Sequence, residues 1–243
     1  MSSIALQRLE TLLATRRLDA TLAQVCPTTV ETGRSTGVTA LDAALGGGWP
    51  AGEISEVIGP RSSGRTGLLL ATLAAATREG HVVALVDTFD RFDPTTATAA
   101  GLDLDRVLWV RGPAILAERS QATLVDTAVN RAVRALDLIV RAGGFAVAAL
   151  DLCEVPPRQL RALPAATWLR VAHANEGRKT VGLLVGETPI GRSARGASVH
   201  LSATRVWTGD SLQSRRLSGI AVRARIARMT LSARDAEWAV RSD

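Results

Sequence analysis

The sequence predicts an α/β domain with a mostly parallel central sheet, helices on both faces and antiparallel strands at the C-terminal end. Three observations carry this. A glycine-rich loop, Gly59-Pro60-Arg61-Ser62-Ser63-Gly64-Arg65-Thr66, lies between an apolar run at 54–58 and a helical pattern at 68–77, the strand–loop–helix setting of a phosphate-binding loop. Strand-length apolar runs then alternate with helical periodicities to about residue 187. From Ala197 two long segments follow each other with only a turn region between them, as antiparallel strands do.

In order along the chain, residues 4–25 place Leu6, Leu9, Leu12, Leu13, Leu18 and Leu22 at near-helical spacing, which reads as an amphipathic helix or helix pair. Cys26-Pro27 breaks it. The segment is either packed on its own domain or an arm that docks on a partner, and the division expected is an arm at 1–34 and a core at 35–243. Ser35-Thr36-Gly37 opens a short helix, Val38 to Leu45, which Gly46-Gly47-Gly48 ends. Strands are expected at 54–58, 81–87, 107–110, 145–150 and 180–185. The second ends in Asp87, the fourth is followed by Asp151, and the fifth runs into Gly186-Glu187. Long helices are expected over 118–141, stopped by Gly143-Gly144, and over 158–174. The antiparallel pair is expected at 199–207 and 219–229, turning near Gly209-Asp210.

The 243 residues suffice for one large α/β domain with short extensions. Met1 to Arg17 alternates apolar and charged residues without a signal-peptide core, and no run of about 18 apolar residues suggests a membrane span. A cytoplasmic protein with no membrane partner is expected. Two distant cysteines, Cys26 and Cys153, support neither a disulfide framework nor a zinc site. The net charge is +6, and Lys179 is the only lysine. Residues 158–243 hold fourteen arginines and Lys179 against six acids, so the positive charge is concentrated there. Such a segment suits nucleic acid or an acidic partner. An arginine-rich, tyrosine-free composition also follows from GC-rich coding. Arg192, Arg195, Arg215, Arg216, Arg223, Arg225 and Arg228 are the candidates for a DNA or partner surface, with a solvated strand face as the alternative. Trp207 and Trp238 are either partner anchors or core.

The loop supplies the candidate cofactor site. Inward-pointing backbone N–H groups and the following helix N-terminus bind phosphate oxygens. Gly59, Pro60, Arg61, Ser62, Ser63, Gly64, Arg65 and Thr66 form it, with Asp151 beside it. Thr66 and Asp151 are placed to hold magnesium if a nucleotide is bound. Arg65 stands where the usual pattern has lysine. It keeps the charge but is longer, planar and forked, so the change is not conservative at a packed site. Two outcomes stay open for the cofactor: ATP with magnesium, or none.

Residues 35–37, Leu41-Asp42-Ala43-Ala44-Leu45-Gly46, Gly52-Glu53-Ile54 and the loop at 59–66 together resemble the RecA core. The resemblance continues through Arg78-Glu79-Gly80, Asp87, Asp93-Pro94 and residues 101–105. It implies a RecA-like phosphate-loop fold. It also implies that Phe89 stands where a glutamate would activate water, and phenylalanine cannot accept a proton. Asp90, one residue on, would need an irregular backbone to replace it. By the same resemblance, the first DNA-binding loop is deleted to Leu152–Pro157. The second is reduced to Thr188–Gly196, and Glu187 falls near a glutamine that senses the terminal phosphate. A short RecA-like chain with these departures is similar to the ImuA family. That implies an accessory or adaptor protein of damage-induced (SOS) translesion DNA synthesis with little or no ATP hydrolysis. The implied partners are a Y-family polymerase-like mutasome protein, RecA and an error-prone C-family DNA polymerase, with DNA contact also open. The competing readings are a divergent DNA-dependent ATPase or recombination mediator, and a cell-division regulator, which the near-complete loop disfavours.

Overall fold

The computed structural model describes residues 33–209, 211, 214–228 and 231–241. The expected arm over 1–34 and the turn at Asp210 fall essentially outside them. Residues 32–243 make one compact unit. Its first helix, α1 (Thr39–Leu45), ends at Gly46 with φ 75°. The Asp42 carboxylate within it accepts from Ser35 Oγ and Thr36 N, each at 2.7 Å, which fixes the entry turn. Then come β1 (Ile54–Ile58), α2 (Arg65–Arg78), β2 (Val83–Asp87), α3 (Pro94–Ala99), β3 (Val107–Arg111), α4 (Ala122–Ala142) and β4 (Val147–Asp151). They are followed by α5 (Pro157–Ala162), α6 (Ala165–Asn175), β5 (Val181–Gly186), β6 (Ser198–Thr208), β7 (Arg216–Arg228) and β8 (Leu231–Arg241).

The strands form a single sheet of order β3-β2-β4-β5-β1-β6-β7-β8. From β3 to β6 every pairing is parallel, and β7 and β8 add antiparallel. This is the α/β architecture expected from the sequence. The parallel strands are apolar on both faces because helices cover both. On one face Val57, Leu85, Ala149 and Leu183 pack with Leu41, Leu45, Leu68 and Leu73 of α1 and α2. On the other, Ile54, Val86, Leu150 and Leu184 pack with Val125, Val129, Leu136 and Val140 of α4 and Val171 of α6.

Three details differ from expectation. The helix expected over 158–174 is two helices. Leu163, forced extended by Pro164 (ψ 126°), ends the first, and Pro164 caps the second. A short helix, α3, begins with Asp93 capping the Thr95 and Thr96 amides and Pro94 in its first turn. A third C-terminal strand, β8, closes the sheet.

Candidate functional site

The carboxyl ends of β1, β2, β4 and β5 lie level. Asp87 is in register with Asp151, Asp151 with Val185, and Ile58 with Gly186. Ligands of open parallel sheets bind outside such an edge, and the glycine-rich loop leaves β1 there. Ser62 (φ 62°) and Gly64 (φ 94°) take left-handed conformations to turn it. A Cβ on Gly59 would collide with Ser63 Oγ and Leu201 O, so the loop's first residue must be glycine.

Beside the loop is a cavity of about 380 Å³, within the range of small-molecule sites. Arg61, Ser62, Arg65, Thr66 and Asp151 line it, so five of the nine predicted cofactor residues meet there. Gly59, Pro60, Ser63 and Gly64 shape the loop without lining the cavity. Leu69, Leu70, Leu85 and Phe92 make its apolar wall, and Asp93, Thr96, Arg91, Cys153 and Glu154 complete it.

Two groups suit a phosphate. Ser63 Oγ and Arg65 Nη1 are buried with no hydrogen-bond partner among the described residues. Arg65 opens α2, is 7 % exposed, and its Nη2 donates to Glu187 Oε1 at 3.3 Å. Thr66 and Asp151 face the same space. No group of three His, Cys, Asp or Glu able to hold a metal exists among the described residues. Magnesium held through one carboxylate, a hydroxyl and the ligand's own phosphates needs no such group. The residues therefore fit a magnesium-bound phosphate chain.

Asp151 Oδ1 accepts from Cys153 N at 2.8 Å. Although its rim meets the cavity, the protein around it desolvates the carboxyl and raises its pKa; the Cys153 hydrogen bond works against this, Asp87 adds to it and Arg65 opposes it. Burial, reinforced by the Asp151 charge, also pushes the Cys153 thiol far up. Cys153 is therefore an inert wall residue.

Phe89 is 1 % exposed and packs with Val86, Leu150, Leu152 and Val125 on the α4 face, whereas the cavity lies on the α2 face. Asp90 does have the irregular backbone that a substitute would need (φ 60°). Its carboxylate, however, accepts from Arg111 Nε and Nη2, at 2.9 and 2.8 Å. That hydrogen bonding holds its pKa below the usual carboxylate value. Asp90 is not among the residues that line the cavity.

A network that the sequence does not announce freezes this turn. Buried Asp87 accepts from Arg91 N and Phe92 N, each at 2.8 Å, and from Trp109 Nε1 at 3.3 Å. Trp109 stacks edge-on to Phe92 and carries the Arg111 guanidinium 4.5 Å from its ring centre. At the cavity mouth, Glu154 pairs with Arg91 at 3.0 Å and reaches Arg61 at 3.9 Å. Only Asp93-Pro94, a helix-start signature, offered a local signal for any of this.

The seven candidate arginines lie on two stretches, the loop after β5 and the segment from the β6–β7 turn through β7. After β4 only a tight turn, with Val155 N bonded to Leu152 O, precedes α5. The loop after β5 is stapled to β1: Glu56 accepts from Ile190 N, Gly191 N and Ser198 Oγ, and Glu53 holds Ser193 Oγ. Within that loop Arg192 donates to Gly196 O at 3.2 Å, and Arg195 pairs with Glu53 at 3.2 Å. Arg223 and Arg225 point outward while Val222, Ala224 and Ile226 point inward, as alternation requires. Arg223 pairs with Glu237, and Arg225 lies opposite Asp235. Arg215 rests 5.6 Å over Trp207, which is exposed; Trp238 packs against the core. Arg216 is exposed near the turn. The Arg228 side chain lies outside the described ones.

The family model of the RecA N-terminal domain matches residues 5–152. A RecA protein of Chlorobaculum parvum is 51 % identical over 75 residues, 30 % of this chain and 22 % of that protein. One from a Nostoc species is 42 % identical over 106 residues, 44 % of this chain and 28 % of that protein. One from a Synechococcus species is 34 % identical over 190 residues, 72 % of this chain and 50 % of that protein. The matched stretches thus span half the length of these relatives or less.

Proposed function

The chain belongs to the RecA N-terminal domain family, and from that premise we propose that it is an accessory protein of DNA repair, an adaptor in damage-induced (SOS) translesion synthesis. It works through contacts with a Y-family polymerase-like mutasome protein, RecA or an error-prone C-family polymerase, and hydrolyses little or no ATP. The observation that carries this reading is the pair at 89–90. Phe89 is buried on the far face of the sheet and Asp90 is tied to Arg111. Neither can orient water at the phosphate loop, and phosphoryl transfer depends on positioning. The loop itself keeps the form that cradles phosphates, so a magnesium-bound nucleotide is held as a ligand rather than consumed.

The test is magnesium-dependent ATP binding and turnover by the purified protein, with and without single-stranded DNA. Binding without turnover supports the adaptor. A second reading, a divergent DNA-dependent ATPase or recombination mediator, draws on the near-complete loop with Thr66 and Asp151 in one cavity. DNA-stimulated turnover that Asp90→Ala abolishes would establish it in place of the adaptor.

A further inference from the structure

Arg65 is the cation set deepest at the phosphate loop, and it is already engaged by an anion. Glu187 begins the loop after β5, where Gly59 N reaches Gly186 O at 3.3 Å. Glu187 thus follows directly on the residue bonded to the first glycine of the phosphate loop. Its carboxylate takes Nη2 of Arg65 at 3.3 Å, leaving Nη1 buried without a partner. Asp151 lines the same cavity as Arg65, and their charges interact. One arginine thus answers to two carboxylates. A bound magnesium can be shared between Asp151 and the ligand's phosphates. Glu187 has no such relief, because among the described residues its only ion pair is with Arg65.

We propose that Glu187 is a specificity-determining residue, a built-in carboxylate that occupies Arg65 and makes the site select nucleoside diphosphates over triphosphates. This rests on the reading that the loop holds nucleotide without consuming it. A terminal phosphoryl group extending to Arg65 must displace Glu187 or share the guanidinium with a like charge. A phosphate chain one unit shorter leaves the pair in place and is held by the loop amides. Selection by like-charge exclusion is a recognised way to discriminate between ligands that share most of their contacts. Glutamine at 187 keeps the shape and a hydrogen-bond acceptor for Arg65 but removes the charge.

The experiment is fluorescence titration of methylanthraniloyl-ADP and methylanthraniloyl-ATP, with magnesium, into the full chain and its Glu187→Gln and Glu187→Ser variants. Thermal unfolding checks that each variant folds. Tighter diphosphate binding by the unmodified chain is expected. Both variants should gain roughly tenfold in triphosphate affinity, about 1.4 kcal/mol, and change little toward the diphosphate. If the chain binds both ligands and the variants shift neither, or shift both alike, the role of Glu187 is overturned while the phosphate site stands. If no protein binds either nucleotide, the phosphate-site reading falls and this inference falls with it.

Discussion

Phe89 separates a RecA-like shape from RecA-like chemistry, and its removal has a calculable cost. The side chain is 1 % exposed among Val86, Leu150, Leu152 and Val125. Returning it to water forfeits about 1.5–3 kcal/mol of transfer free energy. The cavity left by Phe89→Ala adds to this, for a total of about 3–5 kcal/mol. In a chain of this size each kcal/mol lowers the unfolding midpoint by about 2–4 °C, so the midpoint should fall by roughly 6–20 °C. Phe89→Leu, which retains most of the volume, should cost about 1 kcal/mol. Phe89→Glu should be worse than alanine, because it sets a carboxylate in an apolar cluster, and should give no ATP turnover. Circular dichroism and the emission of the five tryptophans follow the unfolding. A Phe89→Glu protein with an unchanged midpoint and new turnover would refute the reasoning, since residue 89 would then face the cavity.

Three further outcomes are expected. Asp87→Ala strips the acceptor from Arg91 N, Phe92 N and Trp109 Nε1 and should cost about 3 kcal/mol; an unchanged Trp109 emission would argue against this network. Burial raises the Asp151 pKa above its ordinary 3.8, so its contribution to stability is complete below that value and is lost as pH rises through the raised one. Asp151→Asn should therefore gain on the unmodified chain in urea midpoints between pH 4 and pH 7, and an equal offset at both would contradict it. Gly59→Ala, whose Cβ meets Ser63 Oγ and Leu201 O, should lose about 1–3 kcal/mol to overpacking and weaken nucleotide binding measured by fluorescence.

The sheet and its two helical layers were legible because buried parallel strands are short apolar runs and the covering helices carry their own period. The break at Pro164 is masked because the apolar spacing continues on both sides of it. Strand β8 was not expected because its outward positions carry Asp235 and Glu237 and its inward ones only Ala236 and Trp238 at mid-length, a weak alternation. The phosphate loop was legible because its spacing is local. The Arg65–Glu187 pair spans 122 residues, and the grip of Asp87 on Trp109 joins different strands, so neither leaves a local trace. Arginine content pointed to a charged surface, but Glu53 and Glu237, which engage Arg195 and Arg223, become their partners only through the fold.

The place of β1 in the sheet has a consequence for biogenesis. It is made early, yet it pairs only with β5 and β6, at residues 182–186 and 198–200. At ribosomal speeds of about 5–20 residues per second, an apolar strand with two open edges waits roughly 6–25 seconds for its first neighbour. Pairings of such long sequence separation form slowly and expose strand edges to aggregation meanwhile. The nascent chain is thus most vulnerable between synthesis of the phosphate loop and emergence of β5, and that interval is when a holdase would raise the yield of folded protein.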